Sequence, residues 1–264
     1  MTSPSPSEPP TPRLYHAAFA PVTAVKLAGI SIGTIWGVQT ILYVLGALDL
    51  VSATISDLVV IALLLAYARG RGGPAALGLR RVKPRFIVAG VLVGITVWYP
   101  ALRLLLWVNP PGDTKLLQQV VQETALLPTL GAICVLPAIA EEMVFRGVLA
   151  RGLATRLPAV IAILGATVAF CAFHLLPPQM LGVLPLALAL GFLAVQADSI
   201  LPTMVAHFVN NIIGVLLSRD DLPTSISEVV NAHPNLVLAC SLVVVIGGLA
   251  CGLAPRHAAG EHRA

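Results

Sequence analysis

Eight stretches of roughly twenty predominantly apolar residues follow one another along this 264-residue chain, and that succession leaves few folds open. A helix needs about 20 such residues to cross a hydrocarbon core of ~30 Å. The stretches run from about Val25 to Leu48, Val51 to Ala68, Phe86 to Val108 and Ala125 to Ala150, then Leu157 to Leu176, Gln179 to Ala197, Ser199 to Ser218 and Asn235 to Ala254. Turn-forming clusters punctuate them: Arg71-Gly72-Gly73-Pro74, Asn109-Pro110-Pro111-Gly112, Pro177-Pro178 and His233-Pro234. Only 11% of the residues are charged, where a soluble domain has about one quarter. With a mean hydropathy of +0.90, the expected fold is all-α: a polytopic membrane helix bundle of about eight transmembrane helices.

Charge placement orients the bundle. Of the 16 cations, 13 fall to one side of these spans, six of them between Arg69 and Arg85 in the loop that joins the second and third. The positive-inside rule then puts both termini and the basic loop in the cytoplasm. Contact with anionic lipid headgroups accounts for the basic loop, and no nucleic-acid partner is expected. Residues 1–24, rich in proline and serine at their start, are expected to form a disordered tail without the features of a removable signal peptide. Residues 25–124 would hold the first three helices and the basic loop, 125–218 a catalytic core, and 219–264 the last helix and a C-terminal tail. Cys134, Cys171, Cys240 and Cys251 all lie in apolar stretches without CxxC spacing, so neither a disulfide framework nor a thiolate metal site is indicated.

Within this hydrocarbon-like chain, charged and polar groups recur at three places. The fourth stretch contains Glu141-Glu142-Met143-Val144-Phe145-Arg146, the fifth Phe170 and His174, and the seventh His207 and Asn211. Ionisable groups at membrane depth cost several kcal/mol each and mark function by default. Glu142 and Arg146 are four apart and share a helix face, so they should pair. Glu141 is turned about 100° away and is left as the candidate general base. His174 follows Phe170 by one turn, and Asn211 follows His207 likewise. An amide beside an imidazole can fix its tautomer or donate to a developing oxyanion. Asn210 reads as a bystander or a helix-packing group. Asp57 and Arg103, each some six residues from the outer end of its span, are expected to pair.

The order Glu-Glu-x-x-x-Arg, Phe-x-x-x-His, His-x-x-x-Asn resembles the CPBP family of intramembrane proteases, which includes type II CAAX prenyl endopeptidases and bacterial Abi or bacteriocin-immunity proteins. The resemblance covers roughly Ala125 to Ser218. It implies an endopeptidase acting on a membrane-associated or lipidated peptide. Glu141, His174, His207 and Asn211 would be catalytic, and Glu142, Arg146 and Phe170 supporting. Glu141 would activate a water that His174 helps to orient, while His207 and Asn211 would stabilise the oxyanion. No cofactor is expected, because two histidines and one carboxylate fall short of a usual zinc set plus free base. Zinc held by His174, His207 and Glu141 is the metal-dependent alternative. A polytopic transporter, or a non-catalytic bacteriocin-immunity protein, could use the same polar cluster. The Ala-, Arg-, Gly- and Pro-rich composition fits a bacterial plasma-membrane protein.

Depth is the awkward point. At ~1.5 Å per residue, Glu141 lies ~22 Å from Arg156 and His174 ~25 Å from Leu157, but His207 only ~12 Å from Ser199. For these groups to meet, some helices must tilt, break or extend beyond the bilayer.

Overall fold

A computed structural model describes residues 19–110, 115–219 and 224–250. Among these the chain is all-α, with no strand, and forms a membrane helix bundle. The first elements are α1 (Pro21–Val44), α2 (Asp49–Arg69), a 3₁₀ turn (Gly73–Leu77), α3 (Pro84–Thr96), α4 (Trp98–Val108) and α5 (Lys115–Glu123). A helical rod over residues 126–153 follows. It consists of α6 (Leu126–Thr129), a π-helical stretch (Leu130–Val135), α7 (Leu136–Glu141), a second π-helical stretch (Glu142–Ala150) and α8 (Arg151–Leu153). The chain continues through α9 (Ala159–Phe173), α10 (Pro177–Ala197), α11 (Leu201–Ser218), α12 (Thr224–Ala232) and α13 (Pro234–Ala250).

Four helical stretches are long and apolar enough to cross a membrane: Pro21–Val44, Asp49–Arg69, Pro84–Val108 and Leu201–Ser218. Ala159–Phe173, Leu184–Ala197 and Pro234–Ala250 are apolar but shorter than the eight-span expectation requires. The third span is interrupted at Val97. Pro100 has no N–H to offer the carbonyl of Thr96, so α3 ends and α4 restarts one residue on. At the N-terminal end, α1 begins at Pro21 and buries Phe19 and Ala24, so the expected tail stops short of residue 24. Residues 1–18 and 251–264 lie outside the described residues.

The rod is the axis of the bundle, with α1, α2, α9 and α11 packed around it. Its core is aromatic: Phe145 meets Phe170 edge-on at 5.1 Å and Phe173 at 5.6 Å. Helix α3 lies tight against α11 through Gly90 and Gly94. A Cβ on Gly94 would stand 2.6 Å from the Ala206 carbonyl, and one on Gly90 would collide with that of Pro202. Small residues four apart let two backbones touch, which is how helices associate where lipid offers no hydrophobic drive. That contact fixes the helix that carries His207.

A polar clamp sets the register between the rod and α11. Asp198, in a left-handed conformation between α10 and α11, forms an ion pair with Arg151 at 3.0 Å and accepts a hydrogen bond from Arg80 at 2.9 Å. The Ser199 hydroxyl donates to the Arg80 carbonyl and the Ile200 N–H to that of Gly78, which ties down the loop after the 3₁₀ turn. Arg146 and Arg151 are therefore buried partners in the protein rather than surface charges of a cytoplasmic loop.

Candidate active site

Arg151 lies nine positions after Glu142 on the rod, and His207 nine positions after Asp198 on the chain that runs back. With Arg151 and Asp198 joined at one end, Glu142 and His207 come level at the other. The Nδ1 of His207 lies 3.1 Å from Glu142 Oε1. The Arg151–Asp198 clamp and the tight α3–α11 seam hold the two groups level, so their meeting is measured from the clamp and not from the helix ends.

Glu142 is fully buried and receives Arg146 Nη1 at 2.8 Å, as the four-residue spacing predicts. Arg146 also donates from Nη2 to the Ala187 carbonyl at 3.0 Å and lays its guanidinium over the Phe170 ring at 4.4 Å. A carboxylate paired with a guanidinium accepts and does not donate, so His207 presents its Nδ1–H to Glu142. The Nε2 of His207 is thereby turned toward Glu141, whose Oε2 stands 3.8 Å away, beyond hydrogen-bond length. Glu141 Oε2 is buried and has no hydrogen-bond partner among the described residues. The two adjacent glutamates thus have different surroundings: one is locked into a network and the other faces a cavity.

His174 caps the C-terminus of α9. The last turn tightens, so that the His174 N–H bonds to Cys171 rather than to Phe170. The freed Phe170 carbonyl takes the imidazole Nδ1–H instead, at 2.9 Å. Nε2 of His174 is left as an acceptor. Leu175, at φ +59°, then ends the helix. Phe170 itself is buried between the partners, with its ring 5.0 Å from His174 and 5.9 Å from His207.

Of the two roles open to Asn211, fixing the His207 tautomer is not the one it fills. Its amide does not orient His207, a task that falls to Glu142. Instead Nδ2 donates to the Ile133 carbonyl at 3.1 Å. The cause is Pro137, which has no N–H for the carbonyl four residues before it; the chain widens there into a π-helical stretch and Asn211 supplies a donor. Asp57 and Arg103 depart from expectation. Neither an ion pair nor a hydrogen bond joins them among the described residues. Helix α2 packs on α1 and the rod, whereas α4 packs on α10 and α13. Asp57 is buried on α2 within electrostatic reach of Glu141.

Glu141, His174, His207 and Asn211 line one cavity of about 370 Å³, together with Pro137, Gln179, Asn210 and apolar residues of α10 and α11. Asn210, a bystander by sequence, faces the same space. Val121 of α5 closes one side of it. Arg219 donates to the carbonyls of Val121 and Thr124, and Gln122 to that of Ser218, which pins α5 across the end of α11. Spacing alone could not reveal Asn210 or Gln179, although Pro137 was a visible signal that carbonyls nearby would need foreign donors. Among the described residues, no three His, Cys, Asp or Glu side chains converge in a way that could hold a metal ion. Nδ1 of His207 and of His174 are taken by Glu142 and by the Phe170 carbonyl, which leaves Nε2 as the free ring nitrogen of each imidazole.

Fold and site together define a polytopic all-α membrane protein with a carboxylate–histidine cavity among its helices. Residues 123–213 match the family model described as type II CAAX prenyl endopeptidase Rce1-like, a stretch that takes in all three motifs of the CPBP resemblance. The match covers this segment alone and is a likeness to a family of CAAX-type endopeptidases. No curated protein and no solved structure matches the chain.

Proposed function

We propose that the protein hydrolyses a peptide bond of a membrane-associated or lipidated peptide, with Glu141 as general base. The observation that carries this reading is the convergence of Glu141, His174, His207 and Asn211, from three parts of the bundle, on one cavity. Glu141 takes a proton from a water, and His174 Nε2 accepts the water's other hydrogen and holds it in line. The oxygen attacks the scissile carbonyl. His207, as an imidazolium held through Nδ1–H by Glu142, donates its Nε2–H to the oxyanion as the carbonyl π bond opens, and Asn211 donates the Nδ2 hydrogen that the Ile133 carbonyl does not use. The proton on Glu141 passes to the leaving nitrogen as the C–N bond breaks, which returns the carboxylate. Arg146 holds Glu142, and Phe170 spaces the two imidazoles.

This chemistry uses side chains and water, without a metal. The match to a CAAX-type family supports a peptide substrate. The clustering of cations on one side of the spans supports cytoplasmic termini in a bacterial plasma membrane. The test is cleavage of a fluorescence-quenched, S-alkylated peptide by the purified protein in micelles, with products identified by mass. Cleavage unaffected by prolonged chelation is the expected outcome. Absence of any cleavage would refute the peptidase reading, and activity lost to chelator and restored by equimolar zinc would refute its metal independence.

A further inference from the structure

A carbonyl inside a substrate helix is already bonded to the N–H four residues on, and side chains sheath its backbone to a radius of ~5–6 Å. Attack on such a carbonyl requires the segment to unwind. Unwound backbone within a membrane leaves N–H and C=O groups unpaired at high cost, unless the protein that receives them supplies partners. Glu141, His174, His207 and Asn211 are engaged with the reacting atoms or with the Ile133 carbonyl, so the partners must come from elsewhere.

Two amide side chains on facing walls of the cavity meet the requirement. Gln179 lies in the first turn of α10 and Asn210 midway along α11; both are half-buried and line the cavity. Neither has a hydrogen-bond partner among the described residues. A carboxamide offers donors and an acceptor together, which matches the N–H and C=O of one peptide unit. About one turn beyond each lies a glycine that also lines the cavity, Gly182 on α10 and Gly214 on α11. A Cβ at either would meet nothing within 4 Å. Beside each amide, therefore, runs a bare strip of helix backbone facing open space.

We infer that Gln179 and Asn210 are positioning residues that hold the substrate in extended form between α10 and α11, by its backbone amides. Gly182 and Gly214 leave room for its chain. The inference rests on the peptidase reading and deepens it: the preferred substrate is a peptide able to unwind locally, recognised at these positions through main-chain groups rather than through particular side chains.

The test uses the full chain in micelles, the quenched S-alkylated peptide, and a set of depsipeptides in which an ester replaces one amide at successive positions around the scissile bond. Gln179→Ala and Asn210→Ala should each raise KM about three- to tenfold, the size of one lost hydrogen bond, with most of the change outside kcat. Each penalty should vanish against the one depsipeptide that lacks the partner N–H, a pattern that a merely structural defect would not produce. Gly214→Leu should lose most turnover while unfolding at the wild-type temperature. Equal penalties on the amide and on every ester peptide would overturn the inference, as would full turnover by Gly214→Leu. Peptide binding by the wild-type protein, weakened by Gln179→Ala and Asn210→Ala but never followed by cleavage, would refute the peptidase reading and leave this inference standing. Cleavage with KM unchanged in both variants would do the reverse.

Discussion

Replacing Arg146 with methionine removes three contacts of one buried side chain: the 2.8 Å bond to Glu142, the 3.0 Å bond to the Ala187 carbonyl and the stacking over Phe170 at 4.4 Å. What remains is Glu142, fully buried, with its charge uncompensated except by His207. Removing one partner of a buried pair costs about 3–5 kcal/mol, most of it the penalty of the stranded charge rather than the strength of the bond. That origin makes a sharper prediction than the loss itself. Neutralising the stranded carboxylate should recover much of the stability, so Arg146→Met with Glu142→Gln should cost only about 1–2 kcal/mol. His207 can still donate to a glutamine oxygen there. Unfolding in micelles can be followed with a thiol-reactive fluorophore in a Cys240→Ser, Cys251→Ser background, because Cys240 is exposed whereas Cys134 and Cys171 are buried and react only as the bundle opens. A denaturant series on both single variants and the double variant completes the cycle. Losses that add within ~0.5 kcal/mol would mean that Arg146 and Glu142 act independently, and the network argument would be wrong.

Two further substitutions examine the frame around the site. Gly94→Ala would place a Cβ 2.6 Å from the Ala206 carbonyl and 2.8 Å from Val209 Cβ, so it should cost about 1–3 kcal/mol and displace His207. Gly33→Ala, with nothing within 4 Å, should be neutral or slightly stabilising in the same unfolding assay. Asp57→Asn should leave stability unchanged or raised, since it removes a buried carboxyl that has neither ion pair nor hydrogen bond among the described residues. A loss above ~2 kcal/mol there would point to a partner for Asp57.

The apolar runs, the Glu142–Arg146 pair and the polar residues that come to line one cavity were legible because each depends on local spacing or on the cost of charge in hydrocarbon. The hydrogen-bond assignments inside the site were not. His207 and Glu142 lie 65 positions apart, and their meeting depends on the Arg151–Asp198 clamp and the α3–α11 seam, which no periodicity records. For the same reason spacing could not choose between the two roles open to Asn211, and in the fold one of its Nδ2 hydrogens goes to the Ile133 carbonyl, four residues before Pro137. Asp57 and Arg103 sat at similar depths in their spans, but depth does not say which helices touch. Helix boundaries inside the spans were not legible where proline and π-helical geometry intervene: Pro100 separates α3 from α4 within the third span, and residues 126–153 form a rod with two π-helical stretches.

The central claim is that Glu141, not its neighbour, activates the water. Its most direct test is cleavage of the quenched peptide by Glu141→Gln, a change of one atom at a side chain whose Oε2 has no hydrogen-bond partner among the described residues. The account predicts an unfolding temperature equal to that of the wild type and turnover at least ~100-fold slower, the low end of what a positioned base contributes. A well-folded Glu141→Gln protein that cleaves at near wild-type rate would contradict it.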